Sequence, residues 1–153
     1  MPPVASGSPS VASVGPLPSE AAAATAEGAA AFARYYLEVI GAAFASADPT
    51  QLEALSAPGC GGCDALIGSI TELREQGRKR LGGDYIVKSV AAPPVERGDV
   101  ILEIAYAREA GQVVDETGRV FASAPPVPVT NAQLRLIRQG MSWVVQGYRV
   151  VSP

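Results

Sequence analysis

The sequence predicts an α+β fold in which three N-terminal helices pack on a strongly bent antiparallel sheet of about four to six strands, a cone-like roll. Three observations carry this. Up to Gly77 the apolar residues recur at three-four spacing, and after Gly83 they alternate with period two. Helical and strand patterns follow one another without interleaving, which excludes a βαβ layout. Glycines at 111, 118, 140 and 147 give the strand half places to bend or turn.

The chain has 153 residues, the size of one ordinary domain able to bury its own core. Residues 1–18, MPPVASGSPSVASVGPLP, hold five prolines and no charge, so they read as a disordered Pro/Ser/Ala-rich tether ahead of a single domain over 19–153. The first basic residue is Arg34, so no basic-headed leader is visible, and Met1 is expected to replace a removed segment. No apolar run approaches the roughly 18 residues that span a bilayer.

Ser19 is placed to cap a long helix running to about Ala47, with Phe32, Tyr35, Tyr36, Val39, Ile40, Ala43 and Phe44 on its buried face. Asp48 and Pro49 start a short second helix, with Leu52 and Leu55 inward, which Pro58 and Gly59 end. A third helix begins at the cysteines with Leu66, Ile67, Ile70 and Leu73 as its stripe. Gly77 reads as its C-cap, and the triplet Arg78, Lys79, Arg80 as charges complementing its dipole.

Tyr85–Val90 is the first expected strand, stopped by Pro93-Pro94. DVILEIAYA sets Val100, Leu102, Ile104 and Tyr106 against Ile101, Glu103, Ala105 and Ala107. QVVDETGRVFAS reads as a short hairpin or a bent strand around Asp115–Gly118. VPVTNAQLRLIRQG sends Ala132, Leu134 and Leu136 one way and Gln133 and Arg135 the other. Gln139-Gly140 turns into the last strand. There Trp143 and Tyr148, one odd and one even, share a face only if Gly147 makes a bulge; otherwise one of them faces outward or a cavity mouth.

Charge and composition narrow the function. Twelve basic against 15 acidic residues, net −3, leave no footprint for nucleic acid and no polybasic patch for lipid. The chain has no histidine, which removes the usual general base and the commonest metal ligand. Carboxylate, tyrosine or thiol chemistry stays open. Asp99, Asp115 and Glu116 fall at turns or strand ends, where carboxylates are mostly solvated. Arg135 and Arg138 suit a solvated sheet face, with a basic patch for an acidic ligand as the other reading.

The run ARYYLEVI…AFASADPTQLEALSAPGCGGC, the Pro/Ser-rich leader before it and the closing SWVVQGYRVV resemble a family of actinobacterial lipoproteins of unknown function. The resemblance spans about residues 20–151. The helix and strand order also resembles the nuclear-transport-factor-2-like, cystatin-like cone. It implies an exported domain behind a lipidated leader, on the outer face of the cytoplasmic membrane, and no known activity. The lipid-bearing cysteine of that leader is implied by the resemblance and is not among these 153 residues.

Cys60 and Cys63, two residues apart ahead of a helix, admit three readings. A Cys-x-x-Cys at a helix N-terminus suits thiol-disulfide exchange, but this pair follows a helix and SAPG rather than a buried strand. A zinc site needs four ligands, and only carboxylates such as Asp64 are at hand. A structural disulfide suits an exported protein with an even cysteine count, and context favours it. Phe32, Tyr35, Tyr36, Tyr106 and Trp143 are the candidate ligand-binding residues, lining a pocket between the long helix and the concave sheet, with plain core packing as the alternative. The expected function is a non-catalytic binding or interaction module of the cell envelope. It would take an apolar or amphipathic ligand or an envelope protein, without cofactor or metal, and touch the membrane only through its anchor. A pocket enzyme, a thiol-disulfide exchanger through Cys60 and Cys63, and a purely structural spacer or assembly subunit with a filled core are the rivals.

Overall fold

The computed structural model describes residues 14–151. The first 13 residues of the expected tether lie outside these. Its last five do not behave as a tether. The Gln51 amide bonds both backbone groups of Val14, at 3.4 and 3.2 Å, and the Tyr35 hydroxyl donates to Gly15 O at 2.8 Å. The side chains of Val14 and Leu17 pack on the core.

A 3-10 turn, Ser19–Ala22, precedes α1, Ala26–Ser46. The cap is Thr25, not Ser19: its Oγ1 accepts from Gly28 N at 3.0 Å. The break before it frees the carbonyls of Ala22 and Ala23, which take bonds from Arg138 and from Trp143. Ala47, in the left-handed region at φ 54°, ends the helix. Asp48 then accepts from Thr50 N and Oγ1 at 3.0 and 2.7 Å and opens α2, Thr50–Leu55. Helix α3 runs Gly61–Glu75.

The expected bent sheet holds seven strands among the described residues, not four to six, and divides into two parts across its bend. Strands β1 (Arg78–Gly82), β4 (Gly111–Asp115) and β5 (Val120–Ala124) form one, in the order β1-β4-β5. The other joins β2 (Tyr85–Ala91), β3 (Asp99–Arg108), β6 (Val127–Gln139) and β7 (Ser142–Val151) in the order β2-β3-β6-β7. All strand pairs are antiparallel. The missed strand is β1, whose basic triplet masks a pleat. Gly77, at φ +70°, turns the chain out of α3. Arg78 and Arg80 then lie over the rings of Phe121 and Phe44, at 3.7 and 3.9 Å, rather than at a helix end.

The two sheets are one ladder with a sharp bend. Gly83 N donates to Ala110 O at 2.9 Å and Glu109 N to Asp84 O at 3.0 Å, carrying the pairing from β1/β4 into β2/β3. Gly82 and Gly83 take φ of +72° and +71° at the bend, and a Cβ on Gly82 would sit 2.5 Å from Ala110 O. Inside, α1 lays Phe32, Tyr36, Val39 and Ile40 against Leu102, Ile104, Leu134, Leu136 and Val145. No helix among the described residues is long and apolar enough to cross a membrane.

Candidate functional site

The cysteine loop clamps α3 to the edge strand β7. Cys60 caps the helix, its sulfur accepting from Cys63 N at 3.1 Å. The two sulfurs lie at bonding distance, 2.12 Å, and both residues are 0% exposed. Ala57 N donates to Val145 O at 2.8 Å, and Gly62 lies against the β7 backbone at Tyr148. A thiolate at this helix end would gain from the dipole, but exchange needs a partner to reach sulfur, and nothing outside the protein touches these. Among the described residues no group of three or more His, Cys, Asp or Glu gathers as a metal site would require. Replacing both cysteines with alanine is expected to cost about 2 kcal/mol, the closure entropy of so short a loop, read from urea denaturation. The reduction potential of the pair is expected below about −300 mV; a value between about −120 and −270 mV would make it an exchanger.

The five candidate ligand-binding side chains are core. Phe32 and Tyr36 have no exposed surface, so no water-sized void touches them. Tyr106 and Trp143 are buried beside them, and the Trp143 indole N–H is spent on Ala23 O at 3.0 Å. Tyr35 holds Gly15 and accepts from Gln51 Nε2 at 2.9 Å. None of the five lines a groove described below. Trp143 and Tyr148 do both face inward, because the register slips between Arg135 and Leu136, where Gly147 and Val145 are the partners and Gln146 is the extra residue.

Behind these residues the remaining tyrosines gather. Tyr148 meets Tyr36 edge-on at 6.3 Å, and Tyr85 tilts on Tyr106 at 5.0 Å. The Tyr36 hydroxyl donates to Cys63 Sγ at 3.4 Å. Burial pushes the phenols of Tyr36, Tyr106 and Tyr148 upward, and the neighbouring phenols of Tyr85 and Tyr106 add to the rise at Tyr148. Such groups hold their protons at neutral pH and make poor acids and bases there. The folded pKa lies above the unfolded one. The tyrosine contribution to stability is therefore intact below about pH 10 and is lost above it, as the unfolded chain ionises first. Stability should fall by about 1.4 kcal/mol per pH unit for Tyr36 alone. Urea midpoints measured from pH 8 to 11 check this, and Tyr36→Phe should flatten the slope.

Open space lies on the other side of the four-stranded sheet. A groove of about 390 Å³ between the α3 N-terminus and the sheet is lined by Gly61, Gly62, Gln133, Gly147 and Arg149. A second, of about 410 Å³, runs from Pro93-Pro94 past Glu96 and Asp99. A third, of about 510 Å³, lies over Ala91, Ala92 and Glu103. All three meet at Ile101, whose side chain stands in solvent with 51% of its surface exposed. Arg135 lines the first two and donates to Asp99 from Nε and Nη2, one edge of its guanidinium, at 3.1 and 2.6 Å, which holds the Asp99 carboxyl below its usual range. Among the described residues Arg149 bonds only the neutral Gln133 amide oxygen, at 3.0 and 2.8 Å. Sequence reading put Ile101, Glu103, Gln133 and Arg135 on faces opposite the leucines and named Gly147 for a bulge, but took neither Ile101 nor Arg149 as a site residue. The signal was an isoleucine in phase with glutamate and arginine rather than with its leucine neighbours.

The profile of a family of unknown function, DUF6318, matches residues 14–149. No curated protein matches the chain. Among solved structures, the intermembrane space region of the chloroplast protein ARC6 superimposes with a TM-score of 0.61 at 12% identity, over 84% of this chain and 97% of that one. Aln2 from a Streptomyces species gives 0.51 at 12% identity, over 78% and 87%. An uncharacterised Caulobacter vibrioides protein with a cystatin-like fold gives 0.47 at 13%, over 79% and 88%. At these identities likeness bears on the fold alone.

Proposed function

The chain belongs to DUF6318, a family of unknown function, and we propose that it is a non-catalytic interaction module of the cell envelope, exported and held to the membrane through a lipidated leader. Its working surface is the outer face of β2-β3-β6-β7, not the interior first expected to hold a ligand. One observation carries this: the concave side of the sheet is filled by its own aromatic side chains, while three open grooves on the other side converge on the exposed Ile101. The reading outside the cytoplasm is supported by the cysteine pair, since such bonds persist in oxidising compartments. The rival enzyme loses ground because the interior phenols are driven away from neutral pKa values and no carboxylate among the described residues is buried with them.

A photo-reactive amino acid placed at Ile101, in protein expressed in its natural host, tests the surface. A discrete covalent adduct from position 101, and none from the same probe at Phe121, is the expected result. Equal or absent labelling from both positions would remove the outer face from consideration. Cell fractionation tests the compartment: the protein should appear in the membrane fraction with no free thiol.

A further inference from the structure

We infer that the partner on this face is a second copy of the chain, packed sheet against sheet about a two-fold axis along β6. The inference rests on the outer face being the working surface. Two cross-strand rows carry it. In one, Glu103 pairs with Gln133 and Gln133 with Arg149; in the next, Ile101 pairs with Arg135 and Arg135 with Gly147. Each row has β6 at its centre and β3 and β7 on its flanks. A two-fold axis along β6 exchanges the flanks and leaves the centre facing itself.

Opposed in this way, Glu103 of each copy meets Arg149 of the other, giving the charge match twice. Neither residue has an ionic partner among the described residues, since the only ion pairs there are Arg74 with Asp48 and Arg135 with Asp99. Ile101 of each copy falls over Gly147 of the other, so an exposed branched side chain faces the one flank position with none. The groove of about 390 Å³ floored by Gly147 and walled by Gly61 and Gly62 receives it. At the axis Gln133 faces Gln133, a donor and acceptor on each side. Arg135 faces Arg135 with its charge already neutralised by Asp99. Sheets stacked face to face lie about 10 Å apart, which long side chains such as glutamate and arginine bridge from both sides.

Sedimentation velocity across a concentration series, on the chain as it is, reads the association. A concentration-dependent dimer is expected. Glu103→Arg and Arg149→Glu should each weaken it about tenfold or more, and the double swap should restore it. Gly147→Ala keeps the monomer safe, because its Cβ would meet only Arg135 Cβ at 3.6 Å. It should nonetheless weaken the dimer by filling the floor under Ile101. A chain that stays monomeric up to millimolar concentration, or a dimer indifferent to the charge swap and to Gly147→Ala, overturns the inference. If the probe at position 101 then captures a different protein, the outer face stands as the working surface and only the second copy falls. If it captures nothing, both fall.

Discussion

Gly62→Ala should leave the protein unfolded or destabilised by about 3–5 kcal/mol, although alanine is the better helix former. Gly62 lies in the first turn of α3, where the exchange by itself would stabilise by about 1 kcal/mol. The tertiary contact reverses the sign. A Cβ there would sit 1.9 Å from Tyr148 O, which is backbone and has no rotamer to escape into. Either α3 lifts off β7, exposing the buried cysteines and opening the core at Tyr36, or the edge strand moves. Gly61→Ala is the matched control. It meets nothing within 4 Å and should change stability by less than about 1 kcal/mol, in either direction. Equal urea midpoints for the two variants would refute the clamp of α3 on the sheet edge.

Trp143→Ala is expected to cost about 3–5 kcal/mol. The indole is 1% exposed, its N–H holds Ala23 O at 3.0 Å, and the Arg138 guanidinium lies over its ring at 4.8 Å. Removing it leaves a large cavity, an unpaired carbonyl and a cation without its platform. It also cuts the tie between β7 and the turn that leads into α1. Trp143→Phe separates these contributions, keeping most of the apolar volume and losing the hydrogen bond, at about 1–2 kcal/mol. Amide exchange at Ala22–Thr25 should speed up in both variants. A loss under about 1 kcal/mol for Trp143→Ala would show that this tryptophan lines free space, as first expected, rather than filling the core.

The contrast between these two residues explains what could be read in advance. Period was legible. The buried face of α1, the inward set Val100, Leu102, Ile104, Tyr106, the opposed set Ala132, Leu134, Leu136, and the hairpin at Asp115–Gly118 all follow from side-chain spacing along a single segment. A bulge beside Gly147 was one of two readings that parity left open, and the extra residue is its neighbour Gln146. What escaped were features in which one segment answers to another. Arg78–Arg80 looked like the charged end of a helix because nothing nearby in sequence reveals Phe44 and Phe121, the rings on which two of its guanidiniums rest. Ser19 looked like a cap because the competing claim on the chain, from Arg138 and Trp143, comes from more than a hundred residues away.

The aromatic residues show the same division in the candidate site. Their burial could be foreseen; whether they enclosed a space or filled it could not. Filling depends on how closely α1 approaches the bent sheet, which no single segment encodes. Local sequence, through hydrophobic period and turn chemistry, determined which residues turn inward and in what order helices and strands occur. Tertiary packing alone decided that the interior is solid and that three grooves meet at Ile101 on the outer sheet face, because volume and contact are properties of segments brought together and have no counterpart along the chain.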